Sequence, residues 1–274
     1  MTVNTRDIRE AVRALDLNGQ ALCIHASLRS FGWVDGGAET VVDALLAEGC
    51  TVLAPTFSWS FYAVPPPAEK RPVRNGWNYA DYSGPTDGIG RCYTPEASEI
   101  DREDMGAIPA AVLGHSRKVR GDHPLCSFSA VGPLAQRLVD AQRPQDLYAP
   151  FKALIETGGH VVLMGVGLRR MTLLHFAEQQ AGRVLFRRWA NGPDLQPMAV
   201  EAGGCSGGFD KFEGVLAPLA RRTMVGQSRW RIFAEAEALE AAVTAIQRDP
   251  QITHCGEPSC GRCNDLIAGG PILD

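Results

Sequence analysis

The sequence predicts an α/β protein with parallel strands at its centre, on three observations. The first is a segment order near the start of the chain. An apolar run "ALCIHASL" (21–28) is followed by a helical pattern "GGAETVVDALLAEG" (36–49) and a β-branched run "TVLAPTF" (51–57). Strand, crossover helix and strand in that order make a parallel βαβ unit. The second is "HVVLMGVG" (160–167), almost continuously apolar, as a strand buried on both faces is. The third is the helical pattern "LLHFAEQQAG" directly after it.

The other elements read locally. Residues 6–17 form a polar amphipathic helix. The stretch 36–49 carries apolar residues at helical spacing between glycines, and Pro55 halts the strand after it. "MGAIPAAVLGHS" (105–116) and "PLAQRLVDA" (133–141) read as helices, "CSFSAVG" (126–132) as a strand, and "EALEAAVTAIQRD" (237–249) as a closing helix. Residues 58–104 have no period and are rich in Pro, Gly, Asp and aromatics, among them Trp59, Phe61, Tyr62, Trp77, Tyr79 and Tyr82. Loops this long are functional or disordered, and so many aromatics are atypical of disorder. The expectation is an ordered loop region covering a pocket, within one domain spanning 1–274.

Composition narrows the function classes. The 274 residues are 45% hydrophobic and 21% charged, ordinary for a globular protein. No run approaches the roughly 18 apolar residues of a membrane span. The first residues lack the apolar core of a signal peptide, so a cytoplasmic location is expected. A net charge of −4 argues against nucleic acid as the principal partner. The eight cysteines are then expected as reduced thiols. Three of them cluster with a histidine in "HCGEPSCGRC": His254, Cys255, Cys260 and Cys263. Because His254 and Cys255 adjoin, joint ligation is awkward, and no metal is expected.

Five stretches carry candidate chemistry. In "GVGLRRMTLLHFAEQQAG" (165–182), Arg170 stands where a dinucleotide fingerprint needs its third glycine, so that motif fails. The glycines instead suit a tight turn at a strand's carboxyl end, where open α/β sheets bind ligands. Thr172 suits a helix start; His175 and Glu178 follow at three-residue steps on one face, and His175 reads either as a packing residue or as a functional one. "CIHASLRSFGWVDGG" (23–37) leaves a strand through small polar residues whose backbone N–H groups can cradle a phosphate, or form an ordinary loop. In "RGDHPLCSFSAVG" (120–132), Pro124 biases His123 to an extended backbone. The glycine-dense "VEAGGCSGGFDKF" (200–212) begins at Glu201 and can carry a carboxylate into a pocket. The fifth is the C-terminal cysteine cluster.

Taken together, "IHASLRSFG", "VLAPTFSW", "MGAIP", "RGDHPLCSFSAVG", "GVGLRRMTLLHFAE", "EAGGCSGGF" and "DPQITHCGEPSCGRC" occur in the order and at about the spacing of one family. The chain resembles the aminoglycoside 3-N-acetyltransferases over nearly its whole length. The resemblance implies an α/β/α sandwich with a mixed, largely parallel central sheet, distinct from the Gcn5-type acetyltransferases. It implies acetyl-CoA as co-substrate and acetylation of the 3-amino group on the 2-deoxystreptamine ring of an aminoglycoside. It implies a catalytic His175 in the T-x-x-H stretch with Thr172, and Glu201 as the carboxylate orienting that histidine. It implies a CoA site at His25, Ala26, Ser27, Leu28, Arg29, Ser30, Phe31 and Gly32, at Pro55, Thr56 and Phe57, and at Arg120 near the cofactor's phosphates. Ala26 stands where the family's H-S-S has Ser, Gly121 where R-S-x-H-P has Ser, and "GLRRMT" where G-x-x-x-N-T is usual.

Aminoglycosides are polycations, so Asp81, Asp87, Glu178 and Glu201 are expected to line the drug's pocket, with the aromatic loop at 58–93 as its wall. The expected partners are acetyl-CoA and the drug, with neither nucleic acid nor membrane, for a chain acting as a monomer or homodimer. Direct transfer is expected, since no cysteine stands at an obvious nucleophile position beside His175. The competing readings are an N-acetyltransferase for another small amine, a hydrolase or acyltransferase using Cys126 or Cys205 as nucleophile, and a small-molecule-binding regulator without turnover.

Overall fold

Alternate residues of each central strand feed two different cores, and this sets the architecture. The computed structural model of the chain describes residues 2–77, 79 and 90–273. It begins with β1 (Thr2–Val3), α1 (Thr5–Ala14), β2 (Ala21–Ala26), β3 (Trp33–Val34), α2 (Gly37–Ala47) and β4 (Thr51–Pro55). After the long loop come α3 (Arg102–Met105), α4 (Ala107–Gly114), β5 (Val119–Arg120), β6 (Phe128–Val131), α5 (Ala135–Val139), α6 (Ala149–Glu156), β7 (His160–Met164) and α7 (Leu173–Gln180). A hairpin of β8 (Phe186–Asn191) and β9 (Pro197–Ala202) precedes α8 (Glu213–Leu216). A second hairpin, β10 (Arg221–Val225) and β11 (Ser228–Ala234), leads into α9 (Glu235–Arg248) and α10 (Gly261–Ile267).

The main sheet runs β10-β11-β7-β2-β4-β6-β5. Only β2 with β4 and β2 with β7 pair in parallel; the outer pairings are antiparallel. The sheet is therefore mixed, as expected, but not largely parallel: four of its six pairings among the described residues are antiparallel, and the parallel part is confined to β4, β2 and β7. The reason is the pair of chain reversals that add β5–β6 at one edge and β10–β11 at the other.

In β2, Leu22 and Ile24 pack with α1, α2 and α4 through Ile8, Val12, Val41, Leu45, Ile108 and Val112. Cys23, one residue out of phase, packs on the other face with α5, α6, α7 and α9 through Leu138, Phe151, Leu174 and Ala242. The same alternation in Val161 to Met164 of β7 splits that strand between both cores. Helices thus cover both faces, giving the α/β/α sandwich. α1 starts on a full capping box, Asn4 accepting from Asp7 N–H while Asp7 accepts from Asn4 N–H. Among the described residues, no helix is long and apolar enough to cross a membrane.

The described part of 58–104 is ordered, and it packs differently from the expected pocket wall. Phe61, Tyr62 and Tyr93 are buried in the core, Tyr62 bridges to Ala190 of β8, and Val73 bridges to Ile272. Its last residues, Arg102, Glu103 and Asp104, are the ones that reach the cavity described next.

Candidate active site

β2 and β7 are parallel neighbours, yet the chain leaves β2 for α2 on one face of the sheet and β7 for α7 on the other. Diverging connections open a crevice at the strands' carboxyl ends, the place where open α/β sheets bind ligands. A cavity of about 1290 Å³ lies there. Its floor is the end of β2 and the turn beyond it (His25 to Arg29), Pro55 at the end of β4 with Phe57 beyond it, and Gly165 to Gly167 after β7. Arg102 to Ala107 and Pro109 close one side, and Ser206, Phe209 and Asp210 the other. Arg29, Arg102, Arg169 and Arg170 share this wall with Glu103, Asp104 and Asp210. It therefore presents charge of both signs. A second groove of about 900 Å³, lined by Arg222, Arg229 and Arg231, adjoins it through Arg29, Gly165 and Val166.

His175 projects into the cavity from the first turn of α7. Leu173, Leu174, Phe176 and Ala177 are buried in the core, which turns the His-bearing face to the cavity. Its Nδ1 lies 2.9 Å from Oε2 of Glu178, one helical turn on. Glu178 is 1% exposed. Its second oxygen accepts from Arg183 at 2.7 Å, and Arg183 donates in turn to Thr253 Oγ1 at 2.7 Å and to the Pro250 carbonyl at 2.8 Å. A carboxylate bound to Nδ1 selects the tautomer with the proton there, leaving Nε2 as the basic nitrogen. Arg183 compensates the buried charge of Glu178. The Phe209 ring lies against the imidazole at 4.6 Å between centroids.

This arrangement corrects the sequence expectation for Glu201. Its carboxylate accepts from Leu147 N–H at 3.1 Å and from Arg187 at 3.4 Å, and its own N–H donates to the Pro144 carbonyl at 2.7 Å. Glu178 takes the place on His175 instead. Buried, off the cavity lining and with both oxygens engaged, Glu178 is not a drug-binding carboxylate either. Asp81 and Asp87 lie outside the described residues.

The CoA-site expectation divides. His25, Ala26, Ser27, Leu28, Arg29, Pro55 and Phe57 line the cavity, as do Thr172 and His175. Four others do not. Phe31 is core, edge-on to Trp230. Thr56 is fully buried and bonds Ser127 and Ser129. Ser30 turns to Ser228 at 2.8 Å and to its own turn's Ser27 carbonyl at 2.7 Å. Gly32 sits at φ 83° beside the Gln227 side chain. Arg120 is also displaced from its expected role. It is 5% exposed and donates to Ser127 Oγ and to the carbonyls of Thr56, Ala97 and Glu99, all at 2.7–2.9 Å, so its guanidinium is a strut between β5 and the loop. Burial, helped by the Arg170 charge, pushes the His25 pKa down to about 3, so His25 meets the cavity as a neutral ring. His123 is structural: its Nδ1 accepts from the N–H groups of Leu125 and Cys126.

Sequence reasoning passed over Arg169, Arg170, Ser206, Phe209 and Asp210. Arg169 and Arg170 stood in the quoted "GVGLRR" turn, and a pair of cations at a strand's carboxyl end was the available signal. Cys126 is buried, and burial pushes its thiol up to about 12, which makes it a poor nucleophile. Cys205 lies instead with Cys255, Cys260 and Cys263, the four sulfurs all within 4.8 Å of one another. His254 turns away from them to Asn264. The fourth group beside the three C-terminal cysteines is therefore Cys205, not the His254 weighed from the sequence.

Fold and cavity define an α/β/α sandwich in which a cavity-lining histidine is held by a buried carboxylate at the carboxyl edge of the sheet. The chain belongs to the family described as aminoglycoside 3-N-acetyltransferase, whose model matches residues 23–247. Aminoglycoside N(3)-acetyltransferase VIII of Streptomyces fradiae is 32% identical over 176 residues, 60% of this chain and 56% of that one. The match thus spans little more than half the length of that curated relative. Among solved structures, the apoenzyme of aminoglycoside acetyltransferase AAC(3)-IVa superposes with a TM-score of 0.74 at 22% identity, covering 98% of both chains. AAC-IIIb in a binary complex with CoASH superposes with a TM-score of 0.67 at 22% identity, covering 90% of this chain and 97% of that one. These likenesses carry the fold, which is not that of the Gcn5-type enzymes.

Proposed function

We propose that this protein transfers the acetyl group of acetyl-CoA directly to the 3-amino group of the 2-deoxystreptamine ring of an aminoglycoside. The observation that carries the reading is the His175–Glu178–Arg183 relay opening onto the cavity at the switch point. A drug ammonium loses its proton to water or to the site, and the remaining amine attacks the thioester carbon while Nε2 of His175 takes the proton that the new N–C bond expels. The C–S bond then breaks, and the CoA thiolate recovers a proton from the imidazolium. Such a base contributes roughly 10²–10⁴ in rate.

Thr172, whose hydroxyl makes no capping bond to α7, is placed on the same wall to donate to the carbonyl oxygen as it gains charge. Arg29, Arg169 and Arg170 supply cations for the cofactor's phosphates, while Glu103, Asp104 and Asp210 supply carboxylates for a polycationic drug. Support for the pairing of ligands comes from the family match and from the CoASH complex of AAC-IIIb. Cytoplasmic acetyl-CoA would be the acetyl source.

The test is thiol release from acetyl-CoA across a panel of aminoglycosides, followed by NMR of the products. Drug-dependent release with the acetyl on the 3-amino group is the expected result. No turnover on any member, or acetylation at another nitrogen, would overturn the assignment.

A further inference from the structure

We propose that Cys205, Cys255, Cys260 and Cys263 hold one zinc ion as a structural tetrathiolate site. In a tetrahedral zinc centre with Zn–S bonds of about 2.3 Å, the sulfurs stand about 3.8 Å apart. Here all four lie within 4.8 Å of one another. Disulfides would gather sulfurs in two pairs, whereas four mutually close sulfurs surround a single point. The donor set is purely thiolate, which selects a soft tetrahedral ion. Cys260 and Cys263 have the C-x2-C spacing of zinc sites, across the start of α10.

Two features of the surrounding backbone fit thiolates rather than thiols. The Gly207 N–H donates to Cys205 Sγ at 3.4 Å, and the Cys255 N–H donates to Cys263 Sγ at 3.4 Å. Outer partners of this kind orient metal ligands and spread their charge. The glycines of "CSGGF" allow the approach itself. A Cβ on Gly207 would stand 2.6 Å from Cys255 Cβ, and one on Gly208 would stand 2.3 Å from the Thr253 carbonyl oxygen. Only bare backbone lets the turn after β9 meet the C-terminal segment.

The site ties two remote pieces of the chain together beside the relay. Cys205 lies four residues before Phe209, which packs on His175. Cys255 lies two residues after Thr253, which holds Arg183. None of the four cysteines lines the cavity, so the ion positions the wall and takes no part in the transfer.

Metal analysis of the purified full chain, with release by a mercurial thiol reagent in the presence of a zinc indicator, tests this. One zinc per chain is expected, and cobalt replacement should give tetrahedral d–d bands with thiolate-to-metal charge transfer. Cys205→Ser should lower the zinc content at least about fivefold, while Cys92→Ser, outside the cluster, should leave it unchanged. If Cys205→Ser does not fold, the wild-type stoichiometry and the cobalt spectrum still decide. Chelation should speed hydrogen exchange in 203–209 and 253–263 and leave α2 unaffected. Folded protein with less than about a tenth of an equivalent of zinc, bound iron in its place, or two disulfides by mass spectrometry would overturn the proposal.

Discussion

Glu178 Oε2 stands 2.9 Å from His175 Nδ1 while its other oxygen binds Arg183, so one buried carboxylate couples the cavity's imidazole to the C-terminal segment. Residues that act as one unit are non-additive. Glu178→Gln should therefore lower kcat at least about tenfold, and the double variant with His175→Ala should be hardly worse than His175→Ala alone. Multiplicative losses in steady-state kinetics would separate the two residues. Glu201→Gln, by contrast, should leave kcat within about threefold. Glu178→Ala strands Arg183 and should cost about 3–5 kcal/mol of stability, read by urea denaturation.

Arg29 and Arg120 should behave oppositely. Arg29 is exposed where the cavity meets the second groove. Loss of a charge-assisted contact of about 1.5–3 kcal/mol there should raise the KM for acetyl-CoA about tenfold or more, and salt should shrink the difference. Arg120→Ala should leave that KM within about threefold and lower the melting temperature, since the carbonyls of Thr56, Ala97 and Glu99 lose their donor. Calorimetric titration and thermal melts on the two variants decide.

Glu235, at the start of α9, is 1% exposed and neither carboxyl oxygen has a partner among the described residues. Burial pushes its pKa up to about 9. The folded state then keeps a proton that the unfolded chain releases above about 4.5, so its contribution is present below that pH and lost as pH rises toward 9. Glu235→Gln, which stays neutral, should match wild type near pH 5 and be more stable at pH 8. An equal stability difference at both pH values would contradict the burial account.

The elements legible in the sequence were those whose pattern is local. "TVLAPTF" and "HVVLMGVG" announce buried strands because both faces are covered, and the helical spacing in 36–49 follows from a single buried stripe. The two hairpins were missed although "ANGPD" and "VGQS" carry turn residues between their strands, because their flanks mix arginines with apolar residues and show no clean alternation. They supply the antiparallel flank and β9, which delivers the Cys205 turn. Within the site, the local pattern leaves His175 open between packing and function, the resemblance supplies its catalytic role, and the structure puts its side chain on the cavity wall. Its partner is within reach of the sequence too, since Glu178 sits at the three-residue step, whereas the resemblance points to Glu201. No local pattern announces that Cys205 meets residues 50 or more positions away, or that Arg120 turns inward. Those are properties of how the β9 turn and the β5 edge pack, and only the tertiary structure contains them.

The direct test of the account is the turnover number of His175→Ala with saturating acetyl-CoA and an aminoglycoside, beside the same protein's affinity for CoA. His175 supplies only the proton transfer in this scheme, so kcat should fall at least about a hundredfold while CoA affinity stays within about threefold. A variant that keeps more than about a third of wild-type kcat would show that another group, or none, accepts the proton.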